Sequence, residues 1–453
     1  MPNNFAYVVL LSWPLVVLYL LNRFKIGNGS LLALLLSYMF LPANMSVDLP
    51  VLPPLDKFSV TTLTILTVLV AKKLSLGFNF LPRIYRWLIA VIFIAPFFTA
   101  MNNSERYMHI PGLTLYDGLT TSIVSFLYFF PFLIGVKYFR DQESHTKLFQ
   151  YFALATLAYA FLALYEIRMS PSLHSTLYGY FPHSWRQQYR DGGFRAVVFM
   201  GHGLLVAIFI ALGVGFWAAI QKSKLKVFRY SATVVLAILA LTLILMKTYS
   251  AFLYGLFVYV AITFLPKNQQ ILASMLIALL FLTYPISSAT GLFPHKELIS
   301  IAEELSADRA ASLNYRFENE NILLSHANEK PLFGWGGWGR NRVFDPITGE
   351  DITVTDGYWV IVLGTSGWVG FLSKFLFLFL PIVFLFKNYT KMNVEYESTK
   401  TLLVSHALII SLIMIDQIPN SSFSSNSLYW LLAGSLLGRL DELTKHTRFT
   451  SNN

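Results

Sequence analysis

Apolar runs long enough to cross roughly 30 Å of hydrocarbon recur from one end of this chain to the other. Inside a bilayer there is no water to solvate backbone N–H and C=O groups. Each crossing segment must therefore be a helix, or a strand in a closed barrel. The runs are continuous rather than alternating, which excludes the barrel. Composition agrees: of 453 residues, 55% are hydrophobic and 13% charged, about half the charge of an average soluble domain. The sequence predicts an all-α polytopic membrane protein, one integral membrane domain over 1–453 with no soluble domain at either end.

Some thirteen crossings are expected, within a range of 12–14: roughly 5–22, 30–43, 58–71, 86–101, 119–137, 147–166, 196–220, 229–246, 249–265, 270–286, 357–386, 401–416 and 426–438. The first run has neither a basic leader nor a small-residue cleavage site, so it reads as a retained helix. Alternate connections are basic, among them Arg23/Lys25, Lys72/Lys73, Lys137/Arg140, Lys222/Lys224/Lys226, Lys387/Lys391 and the tail Arg439/Lys445/Arg448. The positive-inside rule assigns these to the cytoplasm. The N-terminus and the segments 44–57, 102–118, 167–195 and 287–356 then lie outside. Topology thus accounts for the net charge of +10 without nucleic acid.

The cytoplasmic cations are mostly Lys, whereas the outer ones are mostly Arg: Arg106, Arg168, Arg186, Arg190, Arg195, Arg309, Arg316, Arg340 and Arg342. Lys serves as a solvated point charge, while Arg presents a rigid fork that fits phosphate oxygens in bidentate fashion. Arg concentrated against the topological bias points to an anionic ligand at the outer face. Any single one of them has a plainer use, pairing with a loop carboxylate or a lipid headgroup.

Three constellations carry possible chemistry. In the outer loop 167–195, Arg186, Arg190 and Arg195 flank Asp191-Gly192-Gly193, a turn that lets backbone approach a ligand. Arg195 stands near a helix N-terminus, which suits phosphate, and His202, deeper, reads as a ligand contact or a polar packing residue. In the long outer loop 287–356, Leu313, Phe317, Leu324 and Ala327 recur at helical spacing and predict a surface helix ending before Pro331. Arg316 and Glu320 share one of its faces, the spacing of an i,i+4 ion pair. The GWGGWG stretch after it reads as a flexible aromatic turn, with Trp335 and Trp338 placed to stack on sugar rings or to anchor in the headgroup belt. Finally, Asp356 lies where the chain re-enters the membrane, as a general base or as a helix N-cap.

Other chemistries find no support. Cysteine is absent, so thiol catalysis and thiolate metal sites are ruled out. His109, His174, His183, His295 and His326 lack metal-ligand spacing. No phosphate-binding loop or nucleophile elbow is present. The crossings are almost free of charge, Glu166 and Asp416 lying near their ends, and no pair of Gly/Pro-broken helices is evident, so a transporter is disfavoured.

The segments FRAVVFMGHG, KTYSAFLYGLF, LNYRFENENILLSHANEKPLFGWG and DGYWVIVLGTSGWVGFL, in this order, resemble the superfamily of O-antigen ligases and O-antigen or exopolysaccharide polymerases of the bacterial envelope. The specific match covers about a third of the chain. The resemblance implies a bundle related to the integral-membrane GT-C glycosyltransferases. It also implies an inner-membrane enzyme that uses a polyprenyl-diphosphate-linked oligosaccharide at the outer face, without metal or cofactor. Its partners would be the growing glycan acceptor, the lipid bilayer, a flippase and a chain-length regulator. By this carry-over Arg195 and Arg316 bind the diphosphate and stabilise its charge as it leaves. Arg186, Arg190, Arg309, Trp335, Trp338 and Lys247 would contact diphosphate or glycan. Two departures stand out. Where ligases carry a His at the re-entry point, this chain has Asp356. Where the family often shows Ser-Arg, Ser250 is followed by Ala251, with Lys247 three residues earlier as the substitute. The missing His favours a polymerase of O-antigen, capsule or exopolysaccharide repeat units, with Asp356 activating the acceptor and Glu318 and His326 in reserve. The alternative is a ligase that attaches finished glycan to lipid A–core or protein; a lipid-linked glycan transporter ranks last.

Overall fold

The computed structural model describes residues 1–48, 53–190, 192–227, 229–390, 392, 396–423 and 426–450, without the side chains of Leu305 and 446–450. Asp191 of the expected Asp-Gly-Gly turn and Lys391 lie outside the described residues, as does the side chain of Arg448.

Among the described residues the chain forms sixteen α-helices. They are α1 (Asn4–Arg23), α2 (Ile26–Phe40), α3 (Lys57–Ala71), α4 (Arg83–Met101), α5 (Leu115–Tyr138), α6 (Gln142–Met169), α7 (Leu173–Tyr178), α8 (Gly203–Lys222), α9 (Ala232–Leu245), α10 (Tyr249–Phe264), α11 (Lys267–Ala289), α12 (His295–Leu305), α13 (Ala307–Glu329), α14 (Tyr358–Asn388), α15 (Glu397–Asp416) and α16 (Ser427–Thr450). A two-residue antiparallel hairpin, β1 (Tyr189–Arg190) with β2 (Gly193–Phe194), precedes α8. Eight helices are long and apolar enough to cross a membrane: α1, α4, α5, α6, α8, α11, α14 and α15. Four more, α2, α3, α9 and α10, are apolar but shorter. The chain is thus an all-α, multi-pass membrane protein.

Packing follows residue size. α8 and α15 are buried almost throughout and touch each other. Small residues on α8, including Ala207, Ala211, Gly213 and Ala218, let α6, α10 and α15 come close. α16 lies along α5, where Gly434 and Gly438, one turn apart, bring their backbone against Phe132 and Val136. At the periphery the polarity is that of a protein solvated by lipid: Leu15, Val234, Leu253 and Leu276 are exposed.

Contacts between connections sort them onto two faces, as the alternation of basic loops requires. On one face, the loop face, Asn3 donates its backbone N–H to Tyr178 O, and Asn44 donates to Pro182 O at 2.6 Å. There too Arg340 ties the long segment to the 102–114 connection. On the other face Arg140 pairs with Asp441 and Glu442, both at 2.7 Å. Lys25 pairs with Glu143, Gln150 donates to Lys226 O, and Lys267 meets Glu397.

The segment after α13 is not the flexible turn expected. α14 is broken at Gly367, where φ is 62° and ψ −169°. The turn Pro331–Gly336 fills the break. Trp368 and Val369 donate their backbone N–H to Pro331 O and Leu332 O, at 2.7 and 3.1 Å. In return Trp335 and Gly336 donate to Gly364 O and Thr365 O, at 2.7 and 2.9 Å. Backbone freed at membrane depth is tolerated only where protein re-satisfies it, and these four bonds do so. The approach needs glycine on both sides: a Cβ at Gly334 or Gly367 would run into the facing backbone. From α4 and the turn after it, Thr99 and Asn103 donate to Phe333 O and Gly334 O, at 2.7 and 2.9 Å. The glycine-rich motifs 331–336 and 364–370 are therefore two halves of one joint.

Candidate functional site

A cavity of about 760 Å³ opens at the loop face, within the usual range of ligand sites. Four chain regions wall it: the α2–α3 connection with the first residues of α3, the approach to α8, the strip 353–356 before α14, and residues 419–422 after α15. Tyr38 on α2, His183 and Gln187 from the loop 167–195, Arg316 on α13 and Arg342 also line it.

Local folding fixes each wall. Asp56 caps α3 in a reciprocal box with Ser59, accepting from Phe58 N and Ser59 N at 2.9 and 2.7 Å while Ser59 Oγ accepts from Asp56 N. Lys57 follows directly and faces the cavity. His202 caps α8, its Nδ1 accepting from Leu204 N at 3.0 Å. With Nδ1 an acceptor, the neutral ring carries its proton on Nε2 and is a donor there, not a base. Burial first, then the neighbouring His183, Arg195 and Arg190, hold the His202 pKa down at about 3. The 419–422 strip hangs from Asp416, which accepts from Asn420 Nδ2 at 2.8 Å and from Ser422 Oγ at 2.5 Å. Asn319 on α13 accepts from Val354 N at 2.8 Å and so positions the strip that carries Asp356.

The result brings two of the expected catalytic residues together. Arg316 Nε lies 3.3 Å from Asp356 Oδ2, and Arg316 Nη1 reaches Pro419 O at 3.5 Å. Both side chains remain open to the cavity, 29% and 37% exposed. Asp356 is not a helix cap: that position belongs to Gly357, which makes no side-chain bond. Nor do Arg316 and Glu320 pair. Glu320 turns inward and accepts from Tyr284 Oη at 2.8 Å, and its burial pushes its pKa up to about 7. Arg316 is left to face the carboxylate across the cavity mouth. The first turns of α3 and α8 point at the same space, adding the positive ends of two helix dipoles to Lys57, Arg316 and Arg342. Arg342 also pairs with Asp351 at 2.7 Å. Against these cations stand two carboxylates that line the same cavity, Asp356 and the α3 cap Asp56.

The other expected residues stand elsewhere. Arg195, 3% exposed, lies one layer behind the wall. It packs over the backbone of Gly203, where a Cβ would collide with its methylenes. Arg186 sits exposed on the turn Trp185–Gln188. Arg190 O accepts from Lys247 Nζ at 3.0 Å, so these two residues brace the β1–β2 hairpin. Arg309 stacks on Tyr249, its guanidinium 3.7 Å from the ring centre. Trp335 is no open sugar platform: it is buried, donates to His326 O at 2.8 Å and stacks on His326. Trp338 is exposed, with Nε1 3.3 Å from Asp117 Oδ1. Arg340, 1% exposed, donates to Trp335 O, Pro111 O and Glu105 O and is wholly structural. Of the reserves, Glu318 accepts from Asn314 and His326 is buried against Arg340 O; neither lines the cavity.

Sequence reasoning passed over Lys57, Asp56 and the 419–422 strip. The available signal was slight: Lys57 is a lysine on the side where arginine otherwise prevails. Compared with known families and curated proteins, the chain matches no family model and no curated protein.

Proposed function

We propose that this cavity is the active site of a polymerase that extends a lipid-linked polysaccharide by one repeat unit per cycle. The donor is a glycan on polyprenyl diphosphate, the acceptor a sugar hydroxyl, and the loop face is the outer face of a bacterial inner membrane. The observation that carries the reading is the Arg316–Asp356 pair, open to a cavity that Lys57 and the N-terminal turns of two helices also line. Asp356 takes the proton of the acceptor hydroxyl. The hydroxyl oxygen bonds to the anomeric carbon as that carbon's bond to the diphosphate breaks, and the departing electron pair stays on the phosphate oxygen. Arg316, a planar fork within reach, balances that charge where it develops. Its bond to Asp356 keeps the base oriented until donor and acceptor enter. Arg195, behind the wall, supports the first turn of α8. On this reading the helices form a bundle akin to the GT-C glycosyltransferases.

The test is polymerisation by purified protein in nanodiscs, given a diphosphate-linked repeat unit and resolved on a gel. Wild type should produce a ladder of glycan lengths. Arg316→Ala and Asp356→Asn should each lower the rate by about 10²–10³-fold while still inserting and folding. Arg316→Lys should also be impaired, because a point charge does not reproduce the fork. Transfer only after lipid A–core is supplied would make the protein a ligase. A full ladder from Arg316→Ala would remove this cavity from the chemistry.

A further inference from the structure

Among the described residues Lys57 is a buried cation whose place the fold does not explain. It is 6% exposed, yet no carboxylate lies within ion-pairing distance of it among the described residues. The adjacent Asp56 is committed elsewhere: one oxygen caps α3 and the other accepts from Tyr128 Oη at 2.8 Å. What holds the ammonium is weak. It donates to Tyr38 O at 3.4 Å and Phe199 O at 3.3 Å, and it lies 5.4 Å from the ring centres of both Tyr38 and Phe58. Two long bonds to carbonyls leave one of its three donors uncommitted. It also occupies the first turn of α3, the end of a helix where a cation is disfavoured. A buried charge without a counter-charge is expensive to keep. A methionine of similar length would pack against the same rings without that cost.

Lys57 does, however, line the same cavity as Arg316. We propose that Lys57 is the second cation of the anion site, neutralising one phosphate of a bound diphosphate while Arg316 takes the other. This inference rests on the reading of the cavity as a diphosphate-glycan site, and it adds a requirement for two phosphates rather than one. An ammonium suits the role, since its three donors rotate to whatever oxygens arrive. The burial that makes Lys57 costly in the empty cavity strengthens its attraction to an anion that displaces water.

The experiment measures binding of polyprenyl diphosphate and of polyprenyl monophosphate, neither carrying glycan, to the full chain in nanodiscs, alongside thermal unfolding. Wild type should prefer the diphosphate. Lys57→Met should lose about tenfold or more in diphosphate affinity, as expected for one charge-assisted contact. It should change little toward the monophosphate, and its unfolding midpoint should be unchanged or higher. Lys57→Arg should recover part of the loss. Undiminished diphosphate binding by a folded Lys57→Met, with wild type binding well, overturns the role of Lys57 and leaves the active-site reading standing. A lower unfolding midpoint for Lys57→Met, with diphosphate affinity retained, makes the lysine a structural tie. Failure of wild type to bind either lipid overturns both.

Discussion

Two carboxylates near Arg316 are put to opposite uses. Asp356 is half open and meets the guanidinium directly. Glu320, one helical turn along, is enclosed and held by Tyr284. Because burial lifts Glu320 to about 7, against roughly 4.3 in an unfolded chain, the fold binds its proton more tightly than the unfolded chain does. This support is complete below about pH 4 and is lost as pH rises through 7, a total of about 4 kcal/mol. Glu320→Gln keeps an acceptor for Tyr284 and cannot ionise. The variant should therefore unfold at a higher temperature than wild type at pH 8 and at nearly the same temperature at pH 5. Thermal midpoints at the two pH values check this, and parallel pH profiles would show that Glu320 carries none of the slope.

At the scale of elements, the joint between the 331–336 turn and the broken α14 decides how the long segment meets the bundle. α13 places Arg316, and the next turn is locked into the membrane helix whose approach carries Asp356. Loosening the joint should therefore misplace both residues. Gly367→Ala and Gly334→Ala each put a Cβ into facing backbone and ask a side chain to adopt positive φ. Each should destabilise by about 2–4 kcal/mol, read as a lower unfolding midpoint and less folded protein. Gly337→Ala, where a Cβ meets nothing within 4 Å, should be nearly silent. The sequence carried this region unevenly. Phe317, Leu324 and Ala327 gave α13 by their spacing, and all three are buried. The break in α14 was illegible because Gly364-Thr365-Ser366-Gly367 sits inside a run that stays apolar overall, and hydropathy does not register a change in φ at one glycine. Arg316 was visible as a charged residue on the helix expected within the long loop, and Asp356 where the chain re-enters the membrane. Lys57 and the 419–422 strip were not. Their meaning arises only from contacts between segments some three hundred residues apart, and a lysine at the start of an apolar run looks like a topological signal.

At the scale of the whole molecule, the function depends on which compartment the cavity meets. The two faces are distinct in chemistry. One joins Lys25, Arg140 and Lys267 to acidic partners at short connections, the other carries Arg316, Arg342 and every wall of the cavity. The positive-inside rule predicts that the face of short basic connections meets the cytoplasm, and the proposed function requires this, since its lipid-linked glycan would have to reach the cavity from outside. Because the chain contains no cysteine, single cysteines can be introduced without background. Ile347, 93% exposed beyond the cavity on the loop face, and Lys224, exposed in the turn between α8 and α9, are suitable positions. A membrane-impermeant maleimide should label Ile347→Cys in cells whose outer envelope alone is opened. It should label Lys224→Cys only after the inner membrane is also permeabilised. The reverse pattern would turn the cavity toward the cytoplasm and overturn the proposed use of a glycan donor at the outer face.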